Sequence, residues 1–88
     1  MENVILKSEE KKSRAEIVAF LKEIATKIDS GVVKLVQGEN SVDLVIPENL
    51  TLELKVEEKI KQGKPKKMQL EIELEWNLGA PKESVTLG

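Results

Sequence analysis

Eighty-eight residues, 40% hydrophobic and 34% charged, make one small domain and no more. Fourteen basic and sixteen acidic side chains leave a net charge of -2, so the whole-chain field draws it towards neither nucleic acid nor an anionic membrane. With no His and no Cys, thiol and imidazole nucleophiles, zinc or haem sites built on those ligands, and disulfides are all excluded.

No run approaches the roughly 20 apolar residues of a membrane span. Met1-Glu2-Asn3-Val4 is not the basic start of a secretory signal. A cytoplasmic location is expected, and the missing Cys agrees with it. A chain this short buries only ~60% of the surface it exposes when unfolded. Without a disulfide or metal, packing or self-association has to supply its stability.

Val4-Ile5-Leu6 is a short β-branched burst and predicts a brief strand. A polar connector follows. Ser13-Arg14-Ala15-Glu16 then reads as a capping box, in which the Ser13 hydroxyl accepts from the Glu16 amide and Glu16 reaches back. Behind it Ile17, Phe20, Leu21, Ile24 and Ile28 recur at helical spacing. Gly31 supplies the left-handed residue that stops a helix. The pattern predicts a helix over 13–29.

After Gly31 the period becomes two. Residues 32–37 and 41–46 predict a hairpin around Gly38-Glu39-Asn40, and Pro47-Glu48-Asn49 breaks it. Leu50, Leu52, Leu54 and Val56 alternate with polar residues. Residues 61–67, with Gly63 and Pro65, read as a loop. Met68, Leu70, Ile72, Leu74 and Trp76 then alternate with Gln69, Glu71, Glu73 and Glu75 without a break. Residues 77–88 read as a flexible tail after a single domain over 1–76, with 84–87 a candidate short edge strand.

Short connections make the four strands an antiparallel meander, and the helix stripe matches its apolar face. The expected fold is α+β: a two-layer sandwich, one helix packed on one face of an antiparallel four- or five-stranded meander sheet. Its core would hold the helix stripe, Val33, Leu35, Val42, Leu44, Ile46 and the leucines and isoleucines of the last two strands.

The order and spacing of Ser13-Arg14-Ala15-Glu16, Gly31-Val32-Val33-Lys34-Leu35, Ser41 to Pro47 and Leu70-Glu71-Ile72-Glu73-Leu74-Glu75-Trp76 resemble the amphi-Trp domain. This is a small prokaryotic family named for an amphipathic segment ending in Trp. The resemblance covers about residues 6 to 76, leaving the lysine loop and the tail outside. It implies a small stand-alone domain without assigned enzymatic activity, and it supplies no catalytic residues.

Three surface features carry the functional readings. Strand parity puts Asp43, Glu53, Glu57, Glu71, Glu73 and Glu75 on the sheet face away from the helix. That face suits a basic protein partner, and less well a divalent cation, which needs several converging oxygens. The plainer reading is a charged, solvated, aggregation-resistant face. Lys59, Lys61, Lys64, Lys66 and Lys67 crowd one turn, where they can meet phosphate or the acidic face of a second copy. No aromatic residue or Arg stands nearby to stack on or read bases, so a solvated loop is the plainer reading. Trp76 is either a lid on the core or an interface anchor. A free sheet edge is a further route to pairing.

The leading expectation is a non-catalytic interaction module, a homo-oligomer (a dimer) or the binder of an unidentified protein, with no cofactor. The alternative is a nucleic-acid-associated accessory protein using loop 59–67. An enzyme is disfavoured, because no nucleophile has a placed base and a single sheet under one helix leaves little room for a pocket.

Overall fold

A computed structural model describes residues 1–79, 85, 87 and 88. The expected edge strand at 84–87 and much of the expected tail lie outside the described residues. The elements run α1 (Arg14–Ser30), β1 (Val32–Gln37), β2 (Asn40–Val45), β3 (Thr51–Lys59) and β4 (Lys67–Glu75). The chain divides into two compact units, Met1–Glu48 and Asn49–Gly88.

In the first unit the predicted capping box is formed. The Glu16 amide donates to Ser13 Oγ at 3.1 Å, and the Ser13 amide donates to Glu16 Oε1 at 3.3 Å. Such a cap contributes about 1 kcal/mol. Gly31 ends the helix at φ 88°, its amide donating to the Ile28 carbonyl at 2.9 Å. The same residue's carbonyl accepts from the Ile46 amide at 2.8 Å, which ties the end of the hairpin to its beginning.

β1 and β2 are antiparallel, with Val33 opposite Leu44, Leu35 opposite Val42 and Gln37 opposite Asn40. Gly38 takes a positive φ of 59° at the first of the two loop positions, as a type II′ hairpin turn requires. α1 packs on β1. Val33, 6% exposed, is the one buried residue described, with Ile24, Ile28, Leu35, Val42, Leu44 and Ile46 half-buried.

The second unit is the β3–β4 hairpin, nine residues in each strand against six in β1 and β2. Its register is unbroken from Thr51 opposite Glu75 to Lys59 opposite Lys67. The period-two pattern accounts for it, since Leu52–Leu74, Leu54–Ile72 and Val56–Leu70 become cross-strand neighbours on one face.

Three expectations are corrected. The strands form two separate two-stranded sheets rather than one meander of four or five. Between β2 and β3 stands Pro47, which has no amide to give to a ladder. Val4 to Leu6 is not a strand; the N-terminal segment is held instead by the Gln37 side chain, whose Nε2 donates to the Lys7 carbonyl at 3.0 Å. The core is also smaller than expected. Ile17, Phe20 and Leu21 remain 45–52% exposed, and Leu52, Leu54, Leu70, Ile72 and Leu74 37–66% exposed. Alternation marks which side of a strand is apolar, but a second layer has to cover that side before it is buried.

Candidate functional site

The β3–β4 hairpin presents two unlike faces. Odd-numbered positions carry its acidic residues, as strand parity requires. Glu53 lies directly opposite Glu73, and Lys55 opposite Glu71. Lys55 Nζ sits 2.7 Å from Glu57 Oε1, and Gln69 Nε2 donates to Glu71 Oε1 at 2.6 Å. Five of the six acidic residues picked out from the sequence are therefore on one face. Asp43 is not with them; it lies in the other unit, opposite Lys34 on the β1–β2 hairpin.

Glu53, Glu73 and Glu75 gather most closely, each with a carboxylate oxygen within 4.8 Å of the others, and all three are exposed. Three oxygens are still about half of what a hard cation takes, and nothing encloses them. Their mutual repulsion is the clearer consequence. The charge of Glu53, together with the hydrogen bond that protonated Glu73 donates to it, raises the Glu73 carboxyl above its ordinary value of 4.5. A hydrogen bond and the charge of Lys55 lower Glu57, and hydrogen bonds from Ser13 lower Glu16.

These shifts act in different pH windows. A raised Glu73 means that the folded hairpin binds this proton more tightly than the unfolded chain. Stability therefore increases as pH falls from neutral towards Glu73's ordinary value of 4.5. Lowered Glu16 and Glu57 contribute stability that is present above 4.5 and lost as pH falls below it. We expect the urea midpoint to pass through a maximum on acidification. Glu73→Gln should remove the rising limb and leave the falling one. A midpoint that falls steadily from neutral pH in the unsubstituted protein would contradict the close Glu53–Glu73 pair.

The even-numbered face is apolar, and among the described residues no other element of its unit covers it. Leu52, Leu54 and Val56 are 59–68% exposed, and Met68, Leu70 and Ile72 are 55–66% exposed. Glu57, Gln69 and Glu71 on the polar face are only half-exposed, so the hairpin shelters its polar side chains better than its aliphatic ones. Glu58 is the one charged residue with the apolar parity, and Lys66 Nζ holds it at 2.8 Å. Nothing in the sequence reading singled this face out as a surface. The signal was the alternation itself, taken there as evidence of burial under the helix.

Of the expected basic loop, Lys59 and Lys67 close the hairpin as a facing pair of like charges, while Lys61, Lys64 and Lys66 lie in the connection. That connection turns through Gly63 at φ 77°, with the Lys64 amide donating to the Lys61 carbonyl at 3.1 Å. Trp76 stands just beyond the end of β4 and is half-buried. The first unit also holds a groove of about 500 Å³, lined by Leu6, Phe20, Leu35 and Val36 with Glu10 and Lys12 among its polar groups. The expectation of little room for a pocket is corrected. Glu10 and Lys12 are 3.1 Å apart and neutralise one another.

No helix among the described residues is long and apolar enough to cross a membrane. The family model of the Amphi-Trp domain matches residues 1–87. That span takes in the lysine loop and the tail, which the sequence pattern had left outside. Neither the curated proteins nor the solved structures compared with the chain give a match.

Proposed function

The chain belongs to the Amphi-Trp domain family, and from that premise we propose that it is a non-catalytic, cytoplasmic protein-interaction module that self-associates through a sheet face. The observation that carries this reading is the bare aliphatic face of β3 and β4. Its seven apolar residues, 37–68% exposed, expose roughly 700 Å², a little under one partner's share of a standard interface. The largest apolar patch of an ordinary monomer is about 300–600 Å². A two-stranded hairpin is marginal in water by itself, so covering this face stabilises the hairpin as well as the complex. On the acidic face, by contrast, Lys55 pairs with Glu57 and Gln69 with Glu71.

Absolute mass by light scattering over a hundredfold range of concentration tests the reading. We expect a concentration-dependent dimer that persists in 1 M salt, where the screening length is about 3 Å. A monomer at every concentration would remove the proposal. A second reading, contact with nucleic acid, is favoured only by the lysines of the connection. It requires binding that falls steeply with salt and disappears on charge reversal at Lys64, Lys66 and Lys67.

A further inference from the structure

We infer that the groove of the first unit takes an extended peptide, laid as a third strand along the outer edge of β1. The peptide carries aliphatic residues on the helix side and a carboxylate on the other. The two walls of the groove and its floor all come from the first unit. The groove is thus a feature of that unit by itself, and the inference does not depend on self-association. Two observations carry it.

The first is the backbone of β1. The Ile46 amide donates to the Gly31 carbonyl, and this sets the phase of the ladder. Facing pairs in an antiparallel ladder alternate between those that exchange both backbone bonds and those that exchange none. Val33, Leu35 and Gln37 therefore direct their amides and carbonyls at Leu44, Val42 and Asn40. Lys34 and Val36 point theirs outward, away from β2. Among the described residues β1 pairs with β2 alone, and neither Lys34 nor Val36 enters a backbone bond outside that ladder. The opposite wall is itself extended: Leu6, Ser8, Glu10 and Lys12 line it at every second position, and Glu10 meets Lys12 at 3.1 Å. It does not pair with β1, and Gln37 reaches it only through its side chain, at the Lys7 carbonyl. A side chain thus spans a gap that two neighbouring strands, about 4.8 Å apart, would close with backbone bonds. Unpaired edges of this kind recruit extended peptides through main-chain hydrogen bonds.

The second is the chemistry of the lining. Leu6, Phe20 and Leu35 give the groove apolar surface. Leu35 shares the parity of the buried Val33, so it faces the helix side. Lys34 points to the other face of β1. It is the one charged group of the lining outside an ion pair among the described residues, since Glu10 and Lys12 hold each other. Asp43 stands across from Lys34 on the β2 side and leaves its other side to the groove. A strand laid there matches this pattern with a carboxylate beside Lys34 and an aliphatic residue beside Leu35. The main-chain bonds to Lys34 and Val36 supply affinity, and the alternate side chains supply specificity.

The test uses the full chain and a synthetic peptide, Thr-Val-Glu-Val-Thr, acetylated and amidated at its ends. We expect saturable binding with a dissociation constant below about 1 mM. Amide hydrogen exchange at Lys34 and Val36 should be fast without the peptide and slow with it, while Val33 and Leu35 stay slow throughout. Val36→Pro removes an outward amide that β2 does not use, a position where an edge strand tolerates proline. It should keep the helical circular dichroism and weaken peptide binding about tenfold. Were that variant to unfold, the exchange pattern of the unsubstituted protein decides. Lys34→Glu should reverse the charge preference, so that the peptide with Lys in place of Glu binds about threefold better. An unchanged preference would overturn the carboxylate. Amides of Lys34 and Val36 that are slow before any peptide is added would show the edge already taken, by this chain or by a second copy, and would overturn the inference. So would a peptide that does not bind, or one that binds folded Val36→Pro as tightly as the original.

Discussion

Ile72→Asp is expected to abolish self-association. Ile72 lies opposite Leu54, in the middle of the aliphatic face, and is 55% exposed in the single chain. In a dimer both copies would bury the new carboxylate against aliphatic neighbours with no cation within reach. Leaving a charge buried and unpaired costs about 3–5 kcal/mol. At about 1.4 kcal/mol per tenfold, the dissociation constant should rise at least a hundredfold. In the separated chain the same side chain sits in water, so folding of the first unit should be unaffected and its helical circular dichroism unchanged. Ile72→Val, which removes a single methylene from the same place, should leave the dimer almost intact. Equal affinity for Ile72→Asp and the original protein would show that this face is not the interface.

Local rules written into the chain came through intact. The capping box at Ser13, the left-handed Gly31 and the Gly38 turn each depend on residues close together in sequence. The candidate site was legible only in part, since parity set Glu53, Glu57, Glu71, Glu73 and Glu75 on one face. It could not place Asp43, whose strand pairs elsewhere. It also could not say what covers an apolar face, because the alternation of Leu and Glu is the same whatever lies on it. Lys59 and Lys67 show the same limit on a smaller scale: composition reads them as loop, whereas the ladder continues through them.

Val33→Asp should remove most of the helix. The side chain is 6% exposed and lies on β1, the strand against which α1 packs. A helix of 17 residues with this mixed composition is marginal by itself, so its formation depends on the contact with the hairpin. A carboxylate at Val33 leaves an unpaired charge in that contact, at a cost of about 3–5 kcal/mol. Total stability of about 0.05–0.15 kcal/mol per residue is of the same order for a chain of this length. The far-ultraviolet circular dichroism at 25 °C should lose its helical minimum, or the urea midpoint should move close to zero. Val33→Thr keeps the shape and adds one hydroxyl, for about 1–3 kcal/mol, and should give a folded protein with a lower midpoint. If Val33→Asp unfolds at the same urea concentration as the original, the contact between α1 and β1 is not what holds the helix.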